Sequence, residues 1–110
     1  MALKTKLNEF LGIEHPIMLA GMGGVSYAEL VAAMSNAGGY GVLGMAGTSP
    51  EFIDSQMKRV KELTDKPFGV DLLAASPESL EESVDVIINN GADSFVAGLG
   101  VPMPIMERLK

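Results

Sequence analysis

The chain has no cysteine, a single histidine, and only eight lysine and arginine residues in 110. Without cysteine there can be no disulfide, thiolate nucleophile or Cys-ligated metal, and a reducing interior is comfortable. The few basic residues are scattered and the net charge is -6, so the positive footprint that phosphate backbones require is missing. No run reaches the roughly 18 apolar residues of a membrane span. The opening stretch MALKTKLNEFLGIEHP carries acidic residues and lacks the apolar core of a secretory signal. A soluble, cytoplasmic protein with a small-molecule partner, and neither nucleic acid nor membrane, is the expectation.

What is present is a globular composition: 47% hydrophobic and 20% charged, with 13 glycines and 6 prolines. The length fits one small domain. Short apolar runs alternate with segments of helical period. Thr5 to Leu11 predicts a leading helix, and Pro16 to Ala20 a first strand. Ser26 is placed to cap a helix, with Glu29 as its capping-box partner, Leu30, Val31 and Met34 on one face, and Gly38-Gly39 as the stop. A second strand follows at 40–44. Ser49 and Pro50 then open a helix whose stripe of Phe52, Ile53, Met57, Val60 and Leu63 runs to Thr64. The third strand spans 67–73, and the next helix opens at Ser76-Pro77 with Leu80, Val84, Ile87 and Ile88 at helical spacing. A fourth strand at 94–100 and the start of another helix at 102–110 complete the series.

Strands apolar on both faces and joined by helices argue for a parallel sheet with helices outside it. The unit recurs about every 27 residues. The expected fold class is α/β: a (β/α)8 TIM barrel, of which residues 1–110 form the N-terminal half, about four β/α units. Such a half exposes two parallel edge strands, so self-association into homo-oligomers is expected.

Function in parallel α/β folds concentrates at the C-terminal strand ends, and LAGMGGVS (19–26) is the first such end. Its glycines would let a flat ligand lie against backbone groups, or could simply form a tight turn. The spacing of Gly21, Gly23 and Gly24 is not that of a dinucleotide-binding turn. Met22 and Met45 occupy strand ends where a soft side chain can cover a planar ring, and Met22 is the better placed. Gly98 and Gly100 end the fourth strand in the manner of Gly21 and Gly23. His15, before Pro16, falls at the opposite, stabilising end of the strands and reads as structural. Glu78, Glu81, Glu82 and Asp85 read as the solvated face of a helix, and no metal site is expected.

The stretch from LGIEHPIMLAGMGGVS through SNAGGYGVLG to DKPFGVDLL resembles the nitronate monooxygenase family, once called 2-nitropropane dioxygenases. Flavin-dependent enoyl-acyl-carrier-protein reductases share the pattern. The resemblance runs from about Leu11 to Gly100. It implies an FMN-binding TIM barrel, a flavoprotein oxidoreductase that oxidises nitronates with molecular oxygen. The alternatives are an NAD(P)H-using enoyl reductase or a non-catalytic half barrel. By the same resemblance Ala20, Gly21, Met22 and Gly23 at the first strand end, and Asp71 at the end of the third, bind the flavin. Many relatives carry asparagine where this chain has Asp71 and a polar residue where it has Leu19. A carboxylate can accept from the ribityl hydroxyls but cannot donate. Asp71 is thus expected as an acceptor for those hydroxyls; because an anion there opposes the reduced, anionic flavin, the alternatives are that it points away, is protonated, or is simply a capping or solvated carboxylate at a strand end. The family's proton-abstracting histidine and main phosphate turn lie in the second half of the barrel, so no catalytic residue is assigned within this chain.

Overall fold

The computed structural model describes residues 3–73, 80–100 and 102–109. The elements run α1 (Lys6–Leu11), α2 (Ala28–Asn36), β1 (Gly41–Gly44), α3 (Pro50–Leu63), β2 (Phe68–Leu73), α4 (Leu80–Asn90), β3 (Ser94–Gly98) and α5 (Met103–Leu109). The three strands make one parallel sheet in the order β1-β2-β3. Its register sets Gly44 beside Asp71 and Asp71 beside Val96. The expected cap at Ser76-Pro77, and Glu78, lie outside the described residues.

Local chemistry explains most boundaries. The Thr5 hydroxyl accepts from the Leu7 N–H at 3.2 Å and Asn8 accepts from the Thr5 N–H at 2.7 Å, while Gly12 at φ 68° ends α1. Ser49 accepts from the Phe52 N–H at 3.1 Å and Pro50 fills the first position of α3.

Two expectations are corrected. Ser26 does not cap α2: Tyr27 holds the cap position without a side-chain bond, and the buried Ser26 hydroxyl donates to the Ala20 carbonyl at 2.7 Å. The first helical N–H, that of Ala28, donates instead to Gln56 Oε1 of α3 at 2.9 Å. The strand expected over 16–20 shrinks to an isolated parallel bridge between Met18 and Tyr40. Leu19 N–H donates to Tyr40 and Tyr40 N–H to Ile17, both at 2.9 Å. Further along, Gly44 N–H donates to the Ser26 carbonyl at 2.9 Å, so the end of β1 is held by the loop and not by an extended first strand.

The main core lies between the sheet and the helices. Leu43, Val70 and Leu72 pack with Val31, Ile53, Met57, Val60, Val84 and Ile87, and each fully buried aliphatic contributes about 1.5–3 kcal/mol. Leu30, Leu63 and Ile88, expected on buried stripes, are exposed. On the other face of the sheet Tyr40 and Val42 pack against Ile13, so the segment after α1 closes the start of the strands. Tyr40 OH donates to Ser94 Oγ at 2.8 Å, tying β3 to the residue before β1. Glu81, Glu82 and Asp85 are exposed as expected, and Asp85 pairs with Arg108 of α5.

Candidate functional site at the C-terminal strand ends

All three strands end on one side, and the 19–26 loop folds over them. Met45 N–H donates to the Asp71 carbonyl at 3.0 Å, holding the end of β1 against β2. The Met22 carbonyl accepts from Val25 N–H at 3.1 Å and Ser26 N–H at 2.9 Å, which closes the loop. A Cβ at Gly44 would stand 2.6 Å from the Met22 backbone, so only glycine lets the loop settle on β1. A Cβ at Gly21 would stand 2.5 Å from Asp71 Cβ and 2.6 Å from its Oδ2.

That contact refines the reason for a glycine at position 21. From sequence, a side chain there is expected to displace a ligand, whereas the nearest obstacle is the chain's own Asp71. Gly23 differs, since a Cβ there meets nothing within 4 Å. Its backbone is open to solvent, as are Ala20 and the Met22 side chain, which is 41% exposed.

Asp71 is the most unusual group at this end. It is half-buried, and its Oδ1 is shielded from water without a hydrogen-bond partner. Burial pushes its carboxyl above the usual aspartate range. A Cβ at Gly98 would stand 3.7 Å from Oδ1, so the end of β3 also borders the carboxyl.

Of the residues singled out from sequence, the fold brings Gly21, Met22 and Asp71 together. Ala20 joins through its carbonyl bond to Ser26, and a side chain at Gly23 would point into open space. Met45 is withdrawn from the ring-packing role: it is 0% exposed, inside the main core. His15 sits at the other end of the sheet, its backbone N–H bonded to the Gly38 carbonyl at 2.8 Å. Sequence reasoning missed Gly44 and Ser26 as the anchors of the loop. A glycine closing an otherwise apolar strand was the available signal for the first. Leu99 was also missed: it follows β3 with φ 55° and is 77% exposed, a strained conformation for leucine.

Two clefts are less suited to a ligand. One beside β1 and β2, lined by Met45, Thr48, Leu72 and Ser83, offers about 20 Å³, room for one water. Another of about 220 Å³ opens at the start of β3, between Ile88, Asp93 and Leu109, away from the strand ends. Among the described residues no cluster of His, Asp and Glu could hold a metal ion.

A parallel sheet with helices packed against it defines the class: this is a portion of a (β/α)8 barrel. The chain belongs to the nitronate monooxygenase family, whose model matches residues 4–106. It is 38% identical over its full length to the (3aS,4S,5R,7aS)-5-hydroxy-7a-methyl-1-oxo-octahydro-1H-indene-4-carboxyl-CoA dehydrogenase of Mycobacterium tuberculosis, covering 31% of that protein. It is 39% identical over 97% of its length to a probable nitronate monooxygenase of Staphylococcus haemolyticus, covering 30% of it. Among solved structures it matches FabK from Thermotoga maritima with TM-score 0.92 and 32% identity, over 98% of this chain and 34% of that one. The nitroalkane oxidase of Streptomyces ansochromogenes shares the fold, with TM-score 0.80. The chain thus spans about a third of the length of these proteins.

Proposed function

We propose that this chain supplies the N-terminal share of an FMN pocket in an oxidoreductase that oxidises nitronates with molecular oxygen. The observation that carries the reading is the shielded, unpartnered Asp71 Oδ1 beneath a loop whose outer backbone, Ala20 to Gly23, lies open. Such a carboxyl wants a partner, and an open backbone edge beside it suits a planar polar ring. The residues therefore fit the flavin that the family motifs imply. The Ala20–Gly23 backbone would offer its edge, Met22 would pack on the ring, and Asp71 would hold a polar atom. When bound there, FMN would supply the redox chemistry that links an oxidisable carbon acid to oxygen. The Ser26 bond to Ala20 and the seating of Met22 on Gly44 keep the loop in one geometry, the preorganisation a cofactor site needs. No side chain at this end is assigned as the proton-abstracting base.

A second reading is favoured by the full-length identity to a CoA-ester dehydrogenase: a flavin enzyme acting on a carbon acid carried as a thioester, such as an NAD(P)H-using enoyl reductase. Stopped-flow spectroscopy of the full-length protein separates the two. The nitronate reading expects flavin bleaching by a nitronate under nitrogen, oxygen uptake in air, and slow reaction with NAD(P)H. Rapid bleaching by NAD(P)H with no response to nitronates would replace it with the second.

A further inference from the structure

We infer that Leu99 is a specificity-determining residue that receives the hydrocarbon chain of the substrate, so that nitronates carrying several carbons are preferred to the smallest ones. The inference rests on the nitronate reading above and adds the substrate class. Leu99 directly follows β3, and its φ of 55° lies in the left-handed region, where the Cβ of an L-residue crowds the backbone carbonyl. A bulky side chain there is an outlier that glycine would relieve. Glycines do stand on both sides, at 98 and 100, yet position 99 keeps a leucine.

Burial is the usual compensation for a strained apolar residue, but Leu99 is 77% exposed and belongs to neither core cluster. Among the described residues it gains nothing for the strain it bears, and strain of this kind gathers where ligands are held. Its place fits that role. Gly98, the residue before it, is paired with Leu73 at the end of β2, and a Cβ at Gly98 would stand 3.7 Å from Asp71 Oδ1. On the loop that folds over the same strand ends, the Met22 and Val25 side chains are also exposed. Neither 19–26 nor 94–100 carries an ionisable side chain. These two segments therefore present backbone and aliphatic surface, which suits a hydrocarbon chain. On binding, Leu99 exchanges water for that chain and realises a hydrophobic gain that folding alone does not give it.

The test uses the full-length protein and its Leu99→Gly and Leu99→Met variants with hexyl and ethyl nitronate, read by oxygen uptake. Leu99→Gly should lower the ratio of kcat/KM for hexyl over ethyl nitronate about tenfold, chiefly through KM for the longer one, as loss of an apolar contact does. Leu99→Met, which keeps an apolar chain, should retain the preference. An unchanged ratio in Leu99→Gly would overturn the inference and leave the nitronate reading standing. Thermal unfolding of Leu99→Gly should show little change, because relief of strain offsets the freedom gained by the unfolded chain. A loss as large as truncation of a core leucine causes would show the side chain packed against protein, and would overturn the inference too. Calorimetric binding of heptanoate, an anionic head on an aliphatic chain, needs no turnover. The wild type should bind it about tenfold more tightly than Leu99→Gly. If the protein consumes neither nitronate but keeps this difference, the nitronate reading falls and the chain contact stands; equal affinities, or no binding by either, would overturn the contact.

Discussion

The two glycines of the loop, Gly21 and Gly23, look interchangeable in the sequence and are not in the structure. At Gly21 even a methyl group meets Asp71 at 2.5 Å. Gly21→Ala should therefore cost stability by about 1–3 kcal/mol, as overpacking does. Replacing Asp71 by glycine should relieve most of that cost, leaving a coupling that a double-mutant cycle in urea would detect. Additive effects would mean that the two residues do not touch. A bulkier Gly21→Val change should likewise disturb the fold as well as any bound ligand. Gly23→Ala is the cleaner probe: with open space around it, stability should stay within about 0.5 kcal/mol, and any loss of FMN affinity reports ligand approach to the backbone. Unchanged FMN affinity in Gly23→Ala would place the ligand away from that part of the loop.

Helix and strand boundaries are legible where a local residue dictates them, and obscured where a distant one does. Thr5, Ser49-Pro50 and the apolar runs at 67–73 and 94–100 set their elements through neighbours within a few positions, although the last strand stops at Gly98. Ser26 has the same local signature as a cap, yet its hydroxyl is claimed by the Ala20 carbonyl, and a glutamine 28 positions along the chain from Ala28 serves the helix instead. No local pattern announces that exchange. The apolar run at 16–20 likewise promises a longer strand than forms, and the end of β1 is bonded by the Ser26 carbonyl of the loop after that run, a partner that local pattern does not reveal. The roles divide under mutation. Gln56→Ala should speed hydrogen exchange of the Ala28 amide and leave the loop unaffected. Ser26→Ala should destabilise the protein by about 1–2 kcal/mol through the orphaned Ala20 carbonyl and weaken FMN binding. If Ser26→Ala instead frays α2 selectively, its role is that of a cap after all. The candidate site is legible in part: the glycine loop stands out by its position at a strand end and Asp71 only through the family resemblance, while the shielding of Oδ1 depends on segments that meet only in the fold.

For the molecule as a whole, the sheet is incomplete on its own terms. β3 has no strand on its far side among the described residues, and Met18, Val96 and Leu99 are exposed near the sheet edges or strand ends. Unpaired edges and apolar faces associate. The 110-residue chain expressed alone should elute as dimers or larger species in size-exclusion chromatography with light scattering; a stable monomer at micromolar concentration would show the edges to be adequately protected. Whether these strand ends are built for a flavin is decided by the visible absorbance spectrum of the full-length protein, as purified and after addition of FMN. A flavin site here requires a yellow protein with flavin bands that persist through gel filtration. A colourless protein whose spectrum after FMN addition and gel filtration still lacks those bands would contradict it.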